Sequence, residues 1–197
     1  MPNIYMKADQ NAEVMTGINT IIQKHYHDLA KVGLKYGVLF TFSASENQPA
    51  LKENGHPVEG IIKIVSPKDR VTKEFDVELI LDGSEWQKSS PKHQVALLDS
   101  LIARLEVKKR KIKKKKNRKS KGSDAAVHGT DEERQAHEEE PYMTDDIGRP
   151  MLKMRKGDWN SGMGFREVVE RHGGFSVEHR RLEQANAIIT VAMEVYN

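Results

Sequence analysis

The sequence predicts an α+β domain in which a small β-sheet, a central helix and flanking helices are interrupted by a long charged insertion. Three observations favour this class. Apolar residues recur at helical spacing in several separate segments, and three short runs rich in β-branched and aromatic residues lie between them. The charged residues, 31% of the 197, are distributed very unevenly along the chain. A chain of this length forms one domain with appendages, or at most two small domains.

The first part of the chain is predicted to be one helix followed by three strands. Residues 1–6 are interpreted as a free arm or an added edge strand. Helical spacing extends from Asp9 to Val32, where Gly33 marks a break. Residues 38–42, 60–65 and 75–81 are predicted to be strands. The last of these alternates apolar and polar residues, so we expect a mostly half-buried strand that ends in a turn at residues 82–83.

A central helix and two later helices complete the predicted elements. Ser89-Ser90-Pro91 opens the central helix, because proline is favoured in a first turn. Its apolar residues predict that it is largely buried. Leu152 and Met154 are assigned to a short extended stretch. Residues 165–171 form a short helix ended by two glycines, and residues 177–195 form a final helix whose apolar face either completes the core or pairs with another copy of the chain.

Charge divides the chain into three parts. Residues 108–121 contain eleven Lys or Arg among fourteen residues, and because the whole chain is +3, the remainder carries −8. An acidic block follows at residues 131–140. A segment with so few large apolar residues cannot bury enough surface to offset its ordering entropy. We therefore expect 108–140 to be a disordered basic-then-acidic insertion, with 1–107 and 141–197 forming the two parts of one domain.

Composition excludes several classes of protein. The absence of cysteine excludes disulfide frameworks and cysteine-based zinc sites, and it fits a reducing compartment. No signal peptide and no apolar run of membrane-spanning length is visible. We expect a protein of the cytoplasm that makes no membrane contact.

Several segments together resemble the phage metallopeptidase family, whose zincin-like domains carry an HExxH helix and a later histidine. The segments that carry the resemblance cover roughly 20–107 and 145–174. They are His27-Asp28-Leu29-Ala30 leading into Gly37-Val38-Leu39-Phe40, then Gly60 to Ser66, the strand Phe75 to Asp82 with Trp86, Ala96-Leu97-Leu98-Asp99, Gly148-Arg149-Pro150, and Phe165 to Gly173. The resemblance implies a zincin-like core and, if the protein is phage-encoded, the cytoplasm of a bacterial host.

The chain departs from that family at every residue that would serve zinc chemistry. Two histidines four apart on one helix face would bind the metal, and the glutamate between them would activate water. The resemblance places Ser100 and Arg104 at the histidine positions, Leu101 at the glutamate position and Gly157 at the third ligand. It therefore implies a pseudoenzyme with no catalytic residue, no metal and no cofactor.

The basic run predicts binding to nucleic acid. Clustered Lys and Arg side chains contact phosphates, which attract and position a polyanion without specifying sequence. Flexible contacts of this kind suit single strands, particularly where aromatic side chains can stack on bases. We expect a groove beside the lost metal site, closed by the basic run. The candidate nucleic-acid-binding residues are Arg104, Lys108, Lys109, Arg110, Lys111, Lys113, Lys114, Lys115, Lys116, Arg118, Lys119, Lys121, Tyr142, Lys153, Arg155, Lys156 and Trp159.

Two other functions stay open. A scaffold without catalysis and with an acidic body could bind and inhibit a host defence enzyme or a polymerase. A metal-dependent peptidase with an unrecognised site is the second alternative. For the first interpretation, single-stranded DNA in phage transcription or replication is the expected ligand, and a homo-oligomer would align several basic runs along one strand.

Overall fold

The structure is a computed structural model that describes residues 3–9, 13–45, 48–110, 142–159 and 164–195, with side chains up to residue 187 of the last helix. Most of the predicted insertion, residues 111–140, lies outside the described residues. In chain order the elements are β1 (Ile4–Lys7), α1 (Glu13–His25), α2 (His27–Lys31), β2 (Tyr36–Phe42), β3 (Lys52–Glu53), β4 (His56–Pro57), β5 (Gly60–Ile64), α3 (Pro67–Arg70), β6 (Val77–Asp82), α4 (Gly83–Lys88), α5 (Pro91–Ile102), β7 (Leu105–Val107), β8 (Leu152–Met154), α6 (Arg166–His172) and α7 (Val177–Val195).

These elements form a mixed α/β domain, in agreement with the α+β class. The main sheet has the strand order β1-β2-β6-β5. Its central strands β2 and β6 are parallel, with Val38 opposite Leu79, whereas β1 and β5 are antiparallel to their neighbours. The carboxyl ends of the two parallel strands therefore meet at one edge, beside the N-terminus of α4.

Strand β6 is buried on both faces, so the expectation of a half-buried strand was wrong. Val77 and Leu79 face the helices, as the alternation predicted, and are at most 1% exposed. Ile80 points to the opposite face and is only 7% exposed, because Leu51 and Val58 cover it. The segment that supplies this cover is polar and loop-like in sequence, so the alternation alone gave no sign of it.

Helix α5 is the central helix, as predicted. Ser90 caps it by accepting a hydrogen bond from the His93 amide, and Pro91 occupies its first turn. All of its residues from Ala96 to Ile102 are buried, because α1 packs on one side and the sheet on another. A helix buried around its whole circumference fixes the position of its polar residues, Asp99 and Ser100, in the interior.

The structure corrects two element predictions. The single helix expected from Asp9 to Val32 is two helices, because Tyr26 leaves the helical conformation with φ −125° and ψ 65°. The turn expected at residues 82–83 is the start of α4. Asp82 caps that helix by accepting hydrogen bonds from the amides of Ser84 and Glu85. Among the described residues, no helix has both the length and the apolar character needed to cross a bilayer.

Candidate functional site

The basic run begins on a rigid strand pair. Strand β7 pairs with β8, and the ladder continues past β7: Lys108 donates a 2.8 Å hydrogen bond to the Met151 carbonyl and accepts one of 2.8 Å from the Met143 amide. Lys109 then forms an isolated bridge with Tyr142. Lys108 and Lys109 therefore belong to the folded domain, which corrects the expectation that disorder begins at residue 108. The chain leaves and rejoins the domain at neighbouring positions.

Asp28 holds the two sides of this bridge together. One of its carboxylate oxygens lies 2.7 Å from Lys109 Nζ, and the other accepts a 2.7 Å hydrogen bond from the Tyr142 hydroxyl. Lys109 Nζ also lies 5.8 Å from the centroid of the Tyr142 ring. The hydrogen bonds from Lys109 and Tyr142 hold the pKa of Asp28 below its ordinary value, and the bond to Asp28 raises the pKa of Tyr142.

Tyr142 does not present its ring to a ligand in this structure. It is only 9% exposed and packs as part of the main hydrophobic core. The expected base-stacking role would require it to leave that core and break its bond to Asp28. Trp159, the other aromatic candidate, is partly exposed. Its indole N–H is buried and has no acceptor among the described residues, and its backbone amide is 3.4 Å from the Gly164 carbonyl.

Three of the four cations expected to line a groove already have carboxylate partners. Arg104 Nη1 lies 3.5 Å from Glu53, Lys153 Nζ 3.1 Å from Glu106, and Arg155 Nη1 2.6 Å from Glu167. Lys156 is exposed. These pairs reach solvent, and pairs of this kind contribute about 0–1 kcal/mol each. Phosphates could therefore replace the carboxylates at little cost in free energy. Without such a ligand, the net charge of this surface is close to zero.

A buried serine–glutamate pair occupies the place where the resemblance implies a zinc ligand. Ser100 Oγ donates a 2.7 Å hydrogen bond to Glu178 Oε1, and the two residues are 4% and 8% exposed. Glu178 Oε2 is buried without a hydrogen-bond partner among the described residues. Gly164 lies directly against this carboxylate, since a Cβ there would stand 2.1 Å from Glu178 Cγ.

These residues do not fit a zinc ion. The Ser100 hydroxyl is a poor zinc ligand and is already bound to Glu178, and Gly157 has no side chain to contribute. Arg104, which the resemblance places at the second ligand, lies beyond the end of α5, carries a positive charge and is paired with Glu53. Among the described residues, no group of three His, Asp or Glu side chains is arranged to hold a metal ion. We therefore derive no chemistry through a metal.

Three polar side chains that no sequence pattern connects converge on Asp99. This carboxylate, 1% exposed, accepts hydrogen bonds from Tyr26 Oη at 2.6 Å, Arg171 Nε at 2.8 Å and Arg171 Nη2 at 2.9 Å, and it lies 2.7 Å from His172 Nε2. Burial alone would raise the pKa of Asp99, but the bonds from Arg171, Tyr26 and His172 outweigh it and lower the pKa. Burial and the Asp99 charge raise the pKa of Tyr26.

The Asp99 cluster joins three elements of the fold. Asp99 comes from α5, Arg171 and His172 from the end of α6, and Tyr26 from the break between α1 and α2. Every strong donor in the cluster points at the same carboxylate. The arrangement satisfies the hydrogen-bonding needs of a buried charge.

A cleft of about 640 Å³ lies at the carboxyl ends of β2 and β6, against the first turns of α7. Its charged groups are largely matched in pairs: Arg180 is 2.7 Å from Glu59, and Lys88 is 3.1 Å from Glu85. Asp82 caps α4 and also accepts a bond from the Ala50 amide. This mixture of charges does not favour a polyanion, so the cleft adds nothing to the predicted nucleic-acid surface.

Comparisons of the chain with protein-family models, curated proteins and solved structures gave no match. The functional assignment therefore depends on the residues and geometry described above.

Proposed function

We propose that this protein binds nucleic acid without catalysing a reaction, and that its ligand is single-stranded DNA bound without sequence specificity. The observation that supports this most strongly is the density of charge in residues 108–121, eleven Lys or Arg among fourteen residues, in a chain that carries −8 elsewhere. A run of this kind attracts phosphates and releases counterions on binding. The acidic remainder limits contact to the run itself.

The binding element of the proposal is the run, rather than a preformed groove. Lys108 and Lys109 lie on the ladder that continues from β7, so the domain carries the run at a fixed point. Three of the four cations expected in the groove, Arg104, Lys153 and Arg155, are paired with Glu53, Glu106 and Glu167. Binding through them would follow only after phosphates displace those carboxylates. Trp159 is the aromatic candidate for stacking on a base.

The proposal also retains the pseudoenzyme interpretation. A zincin-like scaffold of the phage metallopeptidase type, with Ser100 and Arg104 in place of its histidines, would have lost its metal and kept its fold. The Ser100–Glu178 bond supports this part, because it gives the replaced ligand position a structural role. The setting would be the bacterial cytoplasm during phage transcription or replication.

A salt titration tests the proposal. Affinity for a fluorescent single-stranded oligonucleotide and for its duplex would be measured by anisotropy over a range of salt concentrations. If about five phosphates are neutralised, log affinity falls with log salt at a slope of about −3.5 for the single strand. The absence of binding to either ligand at low salt would contradict the proposal. Tighter binding to the duplex would contradict the preference for single strands.

A matched pair of variants locates the binding element. Replacing Lys113, Lys114, Lys115 and Lys116 by Ala should reduce the slope by as much as about 3, since each neutralised phosphate contributes about 0.7. Replacing four exposed lysines outside the run, Lys24, Lys52, Lys63 and Lys68, removes the same charge and should change the slope little. Equal effects from the two sets would show that only net charge matters.

The acidic body supports a second candidate function. With −8 outside the basic run, it could imitate DNA and bind a host defence enzyme or a polymerase. Deleting residues 108–121 distinguishes the two candidates: nucleic-acid binding should be lost, whereas binding to such a protein should be retained.

A further inference from the structure

Strand β1 forms one edge of the main sheet and exposes an unusual amount of apolar surface. Ile4 is 59% exposed, Tyr5 60% and Met6 57%, and Lys7 is also exposed. Natural edge strands generally protect their free side with charges, prolines, bulges or a covering element, because an open edge can pair with another strand. Here three consecutive large apolar side chains occupy the edge.

The register shows which backbone groups of β1 are free. Ile4 pairs with Phe42 and Met6 with Phe40, and the Ala8 amide donates a 3.0 Å hydrogen bond to the Val38 carbonyl in the same register. Hydrogen-bonded pairs alternate with non-bonded pairs in an antiparallel ladder. The amides and carbonyls of Ile4 and Met6 therefore point to β2, and those of Tyr5 and Lys7 point away from the sheet.

We propose that β1 pairs with β1 of a second copy of this chain, antiparallel and about a two-fold axis at Met6. In this register Tyr5 lies opposite Lys7 of the second copy, and Lys7 lies opposite its Tyr5. Each of these two pairs exchanges an N–H and a carbonyl, which gives four hydrogen bonds between the copies. All of the outward-facing groups of both strands are used.

The side chains of β1 are self-complementary in this register. Lys7 meets the Tyr5 ring of the second copy, where the alkyl stem can pack and the ammonium can lie over the aromatic face. Met6 meets Met6 on the other face of the sheet and removes both thioethers from water. A register centred on Lys7 would place like charges directly opposite each other, which is destabilising. A register centred on Tyr5 would pair Lys7 with Asn3, outside the strand.

This pairing would join two four-stranded sheets into one sheet of eight strands. It is independent of nucleic-acid binding, because none of its contacts involves the basic run. A dimer would carry two basic runs instead of one. Two linked binding sites can hold one long nucleic acid more tightly than either site alone.

The first test is the mass of the full-length protein in solution, measured by light scattering over a concentration series. The wild type should approach twice the monomer mass. Tyr5→Pro should remain monomeric, because it removes an outward-facing donor that the monomer does not use, and Val71→Lys, at a 74% exposed apolar residue away from β1, should dimerise as the wild type does. Circular dichroism would check that each variant is folded. A wild type that stays monomeric at its highest soluble concentration overturns the proposal.

The second test determines the register of the two β1 strands by disulfide crosslinking. The chain has no cysteine, so Met6→Cys introduces a single thiol. In a non-hydrogen-bonded antiparallel pair the two Cα atoms would be about 4.5 Å apart, within the range of a disulfide. Tyr5→Cys would place its two thiols out of reach, since Tyr5 faces Lys7. A mild oxidant should therefore crosslink the Met6→Cys protein and spare the Tyr5→Cys protein. Equal crosslinking of both, or of neither, overturns the register.

Discussion

Arg171 forms a bidentate ion pair with Asp99, with Nε 2.8 Å from one carboxylate oxygen and Nη2 2.9 Å from the other. The same Nη2 donates to the Tyr26 hydroxyl at 2.8 Å, and the guanidinium lies 5.6 Å from the Tyr26 ring centroid. The two charged residues are 72 positions apart in the chain. Their pairing holds the end of α6 against the last turn of α5.

Replacing Arg171 by Ala should destabilise the domain by about 3 kcal/mol. Removing one partner of a buried pair leaves an uncompensated charge, which costs about 3–5 kcal/mol, and the partial exposure of Arg171 favours the lower end. Arg171→Lys should lie in between, because it keeps the charge and loses the bidentate geometry. Urea denaturation would measure the free energies of unfolding. Arg166→Ala, an exposed site on the same helix, should change them by no more than about 0.5 kcal/mol; a similar loss there would contradict the assignment.

The free energy of unfolding should depend on pH through the ionisation of Asp99. Its pKa is lowered from the ordinary value of 3.8 in the folded state, so its contribution is present above 3.8 and is lost as the pH falls through the folded value. Wild-type stability should therefore fall more steeply on acidification than that of Asp99→Asn. Asp28 and Asp145 also have lowered pKa values. Both residues are present in the wild type and in Asp99→Asn, so their contributions cancel when the two stabilities are compared. Parallel curves for the two proteins would be inconsistent with a lowered pKa at Asp99.

A double-mutant cycle should detect the Ser100–Glu178 hydrogen bond. Ser100→Ala leaves the buried Glu178 carboxylate without its donor, which should cost about 1–3 kcal/mol. Glu178→Gln should cost less, because a neutral amide is cheaper to bury than an unpaired charge. If the bond is stabilising, the double variant should lose less stability than the two single variants added together, by at least about 0.5 kcal/mol. Additive losses would mean that the two side chains act independently.

Trp159 and Tyr142 should respond differently in binding to single-stranded DNA. If Trp159 stacks on a base, Trp159→Ala should cost about 1–3 kcal/mol of binding free energy, which weakens affinity by about 5-fold to 150-fold. Tyr142→Phe should leave affinity unchanged, because the ring is in the core and only its bond to Asp28 is lost. Anisotropy titrations at one salt concentration would compare the two. A larger loss at Tyr142 than at Trp159 would contradict this placement.

The helices and strands were predicted from sequence patterns a few residues long. These predictions were correct where the residues act on their immediate neighbours in the chain. Ser90 and Pro91 define the start of α5 through capping and a fixed φ, and both effects operate within one turn. Helix α7 was predicted from the helical spacing of its apolar residues, and its bounds are those observed, whereas α6 begins one residue later than predicted. The break at Tyr26 was not predicted, and the hydrogen bond from its hydroxyl to Asp99, 73 positions away, is a contact that no local pattern contains.

The candidate site was less predictable, because its geometry depends on long-range pairs. Glu178 reaches Ser100 across 78 positions, and nothing around Glu178 distinguishes it from other acidic residues at the start of a helix. Tyr142 was expected to be available for stacking because it lies beside a charged segment, but its ring packs in the main core and its hydroxyl donates to Asp28. A signal did exist for Asp99, since a carboxylate in the most apolar helix of the chain requires a buried partner.

Because a β-bridge joins Lys109 and Tyr142, the domain should tolerate changes in the chain between these two residues. Because Lys109 and Tyr142 are already held side by side, lengthening the chain between them should cost only about 0.6 kcal/mol of closure free energy for each doubling of its length. Length and charge in that connection can therefore change over evolution with little effect on folding. The same position would accept a tag or a whole inserted domain, which makes it a practical place to attach a probe.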